Sequence, residues 1–153
     1  MAGHVLLATL AFLLLWAAVT DLRSRTIANR LNLVIALLAP VYWWANGLSF
    51  WPDMAVQLGL SACVFAFFAF MFAMGWMGGG DVKLLAALAL WLPLYSMMQL
   101  LVAMSLLGGL LTLAVIALHR VRKIKTNPEI PYGVAIACAG LWVIGERYLN
   151  QFA

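Results

Sequence analysis

Charge is what this chain has least of. Only 9% of its 153 residues are charged and 67% are apolar, whereas soluble domains run at about 25% charged and roughly 45–50% apolar. That shortage excludes a disordered chain and argues against a water-soluble core. Cysteine is scarce as well. Cys63 and Cys138 fall inside apolar runs with no CxxC or CxxH cluster, which argues against a zinc site and reads them as small core residues. Long polar stretches, repeats and low-complexity tracts are missing too. What remains is apolar sequence with a mean hydropathy of +1.04. At about 20 apolar residues per crossing, six crossings take up roughly 120 residues and leave only short loops. The expectation is an all-α integral membrane protein of six transmembrane helices, one domain over residues 1–153 with no soluble domain.

The apolar blocks are His4–Thr20, Leu31–Ala45, Met54–Met74, Leu84–Leu92, Met97–Leu118 and Gly133–Leu149. No Lys or Arg precedes the first block, whereas Arg23, Arg25 and Arg30 follow it. That order is reversed for a cleaved signal peptide, so the block reads as a membrane helix. Lys83 edges the third loop, and Arg120, Arg122, Lys123 and Lys125 crowd the fifth, while the second and fourth loops carry no Lys or Arg. The asymmetry makes odd loops cytoplasmic and puts the N-terminus and C-terminus outside. It also explains the net charge of +4 without nucleic acid, and the fifth loop reads as an anchor on anionic lipid. Trp43, Trp44, Trp51, Trp91 and Tyr95 lie near helix ends, as interfacial belts do. His4 and His119 have no second ligand at useful spacing, so no metal is expected.

Of the acids, Asp53 follows Pro52 and reads as turn chemistry, Glu146 lies beside Arg147 near the external boundary, and Glu129 sits in the basic fifth loop. Asp21 and Asp81 differ, because both abut membrane helices on the cytoplasmic side. The apolar stretch from Asp81 to Pro93 makes only about 18 Å of helix, against about 30 Å of hydrocarbon. Asp81 therefore lies several Å below the surface if the turn after Pro93 reaches the other boundary. A carboxylate at depth is costly, and function is the default explanation. The structural alternatives are an N-cap role for Asp81 and pairing of Asp21 with Arg23 or Arg25.

Gly78, Gly79 and Gly80 immediately precede Asp81. Glycines are costly inside a helix, which predicts an unwound stretch that lines a cavity and lets a peptide backbone pair with it or approach the carboxylate. A close helix crossing is the alternative, and it is the reading given to Gly108-Gly109.

Gly78-Gly79-Gly80-Asp81 matches the GxGD signature of intramembrane aspartyl proteases, and the run from Gly78 to Pro93 is similar to the type IV prepilin peptidases. The segment from Asp21 to Ile27-Ala28-Asn29 resembles their other aspartate segment, D-x5-I-P-N, with Ala28 in place of the proline. Pro131-Tyr132-Gly133 resembles the family's C-terminal segment. The presenilin-type Tyr-Asp pair is absent, since Thr20 precedes Asp21. The larger bifunctional members carry a loop with two CxxC pairs and a methyltransferase activity. This chain lacks those cysteines and resembles the short, peptidase-only form associated with Flp or tight-adherence pili.

The resemblance implies a multi-pass peptidase of the bacterial inner membrane that removes the short leader from prepilins or pseudopilins at the cytoplasmic boundary. Asp21 and Asp81 would be the catalytic pair, one as base and one as acid, titrating as a unit. Gly78, Gly79, Gly80, Lys83, Arg23 and Arg25 would bind substrate, the basic residues attracting a glutamate near the start of its hydrophobic helix. No cofactor or metal is implied, and the partners are the peptide substrate and membrane lipid. The competing readings are an ion-coupled transporter or proton relay using the two aspartates, a serine–lysine peptidase using Ser24 and Lys83, and a structural subunit with both acids as caps.

Overall fold

Runs of Leu, Ala, Phe and Met without a polar stripe favour helix in an apolar solvent, because each backbone N–H and C=O is then satisfied within its own segment. The computed structural model describes residues 2–121 and 130–149. Among them it has six helices and no strand: α1 (Ala2–Ser24), α2 (Asn29–Ala45), α3 (Ala55–Ala73), α4 (Gly79–Ala89), α5 (Leu94–Val121) and α6 (Tyr132–Leu149). An irregular turn at Phe50–Met54, extended at Trp51, leads into α3. By length and composition three spans are long and apolar enough to cross a membrane: Ala2–Ser24, Phe50–Ala73 and Leu94–Val121.

Unlike a soluble protein, the chain is apolar on its surface as well as in its core. Phe12, Trp16, Phe67, Phe70, Leu110 and Leu113 are exposed, whereas Asp21, Asn32, Gln57, Asp81 and Ser96 are buried. Apolar exposure on that scale marks a lipid-facing or partner-facing surface. Cys63 and Cys138 lie on it too, exposed, which corrects their reading as core residues.

Helix α4 is the hub, touching α2, α3, α5 and α6, while α6 also packs on α1 and α5. Leu84, Leu85, Leu88 and Ala89 are fully buried. The last carbonyls of any helix lack intrahelical partners; here backbone N–H groups of the following turn reach Ala87 and Leu88, and neighbouring side chains satisfy the others. Trp43 Nε1 donates to the Leu90 carbonyl at 2.7 Å, Ser61 Oγ to Ala86 at 2.8 Å, and Gln57 Nε2 to both Ala89 and Leu92. Trp91, 2% exposed, donates in turn to the Ile35 carbonyl. Trp43 and Trp91 are therefore core anchors. Trp44 (82% exposed), Trp51 and Tyr95 do face outward, as a belt would.

Glycine terminates α2 and α3. Gly47 and Gly75 take positive φ, and in each case the next residue donates five positions back (Leu48 to Trp43, Trp76 to Met71), the left-handed glycine cap. Arg122, Lys123, Lys125 and Glu129 lie outside the described residues.

Candidate active site

One layer of packing sets the height of every functional side chain. A Cβ on Gly140 of α6 would lie 3.0 Å from Leu14 Cδ1 on α1, 3.7 Å from Leu88 Cδ1 on α4 and 3.8 Å from Leu100 Cδ1 on α5. From that layer Asp21, Asp81 and Gly133 are each two helical turns away, about 10 Å, and all in the same direction. Three helix ends separated in sequence thus converge.

Asp21 sits in the last turn of α1, which continues past the expected boundary at Thr20. It is 4% exposed. The Val134 backbone N–H donates to Asp21 Oδ2 at 3.2 Å, so the carboxylate caps the first turn of α6. A helix N-terminus favours negative charge. Gly133 makes the approach possible, since a Cβ there would lie 2.8 Å from Asp21 Cγ and 2.7 Å from Ile27 Cδ1.

Asp81 is 9% exposed and occupies the third helical position of α4, behind the extended N-cap Gly78 (φ −73°, ψ 141°). It turns back onto that residue, where a Cβ on Gly78 would lie 3.0 Å from Asp81 Oδ2. Asp81 therefore lies inside the helix, not at the N-cap. The glycine run is unwound only through Gly78, with Gly79 and Gly80 helical. The expected unwound triplet is thereby corrected: two of the three glycines serve close packing. A Cβ on Gly79 would lie 3.3 Å from the Phe72 ring, and one on Gly80 3.2 Å from Ile27 Cβ. Gly108 likewise faces Tyr132 and Ala135, but Gly109 has open space beside it.

The two acids stand within electrostatic reach of one another. Buried Ile27 packs against both Gly80 and Gly133, wedged between the two helix starts. The segment beyond it ties down α4. Asn29 Oδ1 accepts from Lys83 Nζ at 2.8 Å, and Asn32 Nδ2 donates to the Gly80 carbonyl at 3.1 Å. Ala28 has φ −61° and ψ 133°, a conformation that a proline ring would also impose.

Arg23 and Arg25 are both exposed near the end of α1. Arg25 takes φ 53°, uncommon for a non-glycine residue, and its charge acts on Asp21. Asp53 accepts from the Ser49 N–H and hydroxyl, the expected turn chemistry. Sequence reasoning missed Gly133, Val134 and Asn32 as site residues. Asn32 carried a legible signal: a polar side chain inside the apolar block Leu31–Ala45.

The fold and site define a helical membrane protein with a buried pair of acids where helix ends meet. The model of the type IV leader peptidase family matches residues 8–113, both aspartates included. The chain belongs to that family and is a peptidase of the leader-processing kind. The ion-coupled reading gains no support from this. Searches of curated proteins and of solved structures return no match.

Proposed function

We propose that the chain is an aspartic-type endopeptidase in which Asp21 and Asp81 act as a pair. The observation that carries this reading is their convergence, both buried, one beside the start of α4 and the other beside the start of α6. In the reaction one carboxylate takes a proton from water as its oxygen attacks the scissile carbonyl carbon. The other, protonated, delivers its proton to the leaving nitrogen as the C–N bond breaks. The first N–H groups of a helix lack intrahelical partners, and those of Gly79 and Gly80 would receive the substrate carbonyl.

The substrate is a prepilin, cut between a short basic leader and a hydrophobic helix, and the absence of cysteine pairs among the described loops favours the short Flp-type enzyme. Lys83, held by Asn29, is the best-placed cation for a substrate glutamate, with Arg23 and Arg25 nearby. The chain would cross the bacterial inner membrane six times with both termini outside. Depth is consistent with this. Tyr132, at the start of α6, packs on Gly108 in the middle of α5, and the apolar part of α5 continues to Leu118, about 15 Å further. This spacing supports a position for the aspartates below the cytoplasmic surface, where a peptide emerging from the bilayer would reach them.

The test is purified protein with a prepilin-like peptide. Cleavage by wild type and by neither Asp21→Asn nor Asp81→Asn is expected. Full activity in either variant overturns the pairing.

A further inference from the structure

Beside the acids lies a cleft of which these roles use only the Lys83 end. Helices α2 and α3 both pack on α4 but make little contact with each other, which leaves a groove floored by α4. It holds a cavity of about 290 Å³ lined by Asn29, Asn32, Leu33, Ser61, Phe65 and Lys83, among others. One end reaches Lys83, two positions after Asp81, and the other Leu90, just past the end of α4. The walls are apolar and the polar groups gather at the aspartate end.

Asn32 is the informative residue. Its amide nitrogen is committed to the Gly80 carbonyl, which fixes the orientation of the group because a carbonyl accepts and cannot donate. Its Oδ1 is then left buried with no partner, on a side chain 4% exposed. Buried acceptors are nearly always paired, and an unpaired one calls for an explanation. The other polar side chains of the groove are engaged: Ser61 on Ala86, and Asn29 with Lys83.

The geometry points to this groove as the subsite for the apolar segment that follows the scissile bond, entering sideways between α2 and α3, with Asn32 Oδ1 accepting a substrate backbone N–H. The assignment rests on the peptidase reading. One side chain thereby ties the substrate backbone to the Gly80 carbonyl beside Asp81, so peptide binding and placement of the acid share a residue. Lys83 at the mouth suits a carboxylate on the same segment. Leu33 and Phe65 suit its apolar side chains, while specificity for the chain itself comes from the amide.

Two measurements test the subsite. In the first, the full chain carries a benzoylphenylalanine photocrosslinker at Leu33, at Phe65 or, as a control on the far side, at Val102 of α5. Adducts with a prepilin-like peptide from the first two positions and not the third are expected; adducts from Val102 alone, or none, overturn the subsite. In the second, backbone amides after the cut are replaced one at a time by esters. At one position wild type should lose about fivefold in kcat/KM while Asn32→Ala, already impaired, loses nothing more. Equal losses in both proteins at every position overturn the role of Asn32. If wild type fails to cleave the all-amide peptide, the peptidase reading falls, and crosslinking alone decides for or against the groove. If Asn32→Ala does not fold, crosslinking in the otherwise native chain likewise decides.

Discussion

Val134 donates its backbone N–H to Asp21 across 113 positions of sequence, so the first turn of α6 holds the carboxyl that ends α1. The contact is possible only because the residue before Val134 has no side chain. Gly133→Ala would drive a methyl group to 2.8 Å from Asp21 Cγ, and the acid must move. A displacement on the order of 1 Å costs roughly a hundredfold in rate. The expected result is that loss in kcat with helical content unchanged by circular dichroism; retained activity would show that Asp21 tolerates another position.

Ala28→Pro tests whether the first loop already has the conformation a proline imposes. The φ of −61° fits, and among the turn and cap bonds of the described residues the Ala28 N–H donates none. Proline at a compatible position stabilises by about 0.4–1 kcal/mol, chiefly by restricting the unfolded chain. A modest rise in Tm with full cleavage activity is expected.

Gln57→Leu removes the donor that Ala89 and Leu92 share. Two buried carbonyls would be left unpaired, at about 2–3 kcal/mol in total. Because those bonds fix the height of α4, and Asp81 rides on its other end, kcat should fall together with Tm. A drop in Tm with kcat unchanged would mean that α4 is held in register without Gln57.

Asp53→Ala provides the contrast among the acids. Its carboxylate serves only the Ser49 turn in the bonds described, so substitution should lower Tm only slightly, as loss of a solvent-exposed cap does. Cleavage by the folded protein should match wild type.

Lys83→Glu probes recognition. Against a prepilin peptide bearing the glutamate, KM should rise about tenfold or more, and against a peptide lacking it the change should be smaller, because only the first loses an opposite-charge contact and gains a repulsive one. Equal effects on both peptides would remove Lys83 from that role.

Much of the site was legible in the chain itself. Asp81 declared itself by the glycines before it and the short apolar run after it, and Asp21 by the basic residues that follow and the Ile27-Ala28-Asn29 spacing. Packing was less legible. Trp91 and Trp43 look from sequence like interfacial residues, because each stands near a helix end, yet both turn inward to bond carbonyls of neighbouring helices. Cys63 and Cys138 look like core residues because their neighbours are apolar, but in a membrane protein apolar neighbours say nothing about which face is buried. When the solvent is as apolar as the core, the usual inside–outside signal disappears.

Composition and the order of apolar blocks determined the helical class, because a chain with so few charges has one economical way to satisfy its backbone. The short reach from Asp81 to Pro93 likewise set the length of α4. Which residues meet was decided only in three dimensions. The layer at Gly140 sets the register of α1, α4, α5 and α6 through van der Waals contact of Leu14, Leu88 and Leu100. That register brings Gly133 to Asp21 and leaves Asn32 buried in the lining of the groove between α2 and α3, juxtapositions that depend on packing distances between segments far apart in the chain and so are written in no single stretch of it.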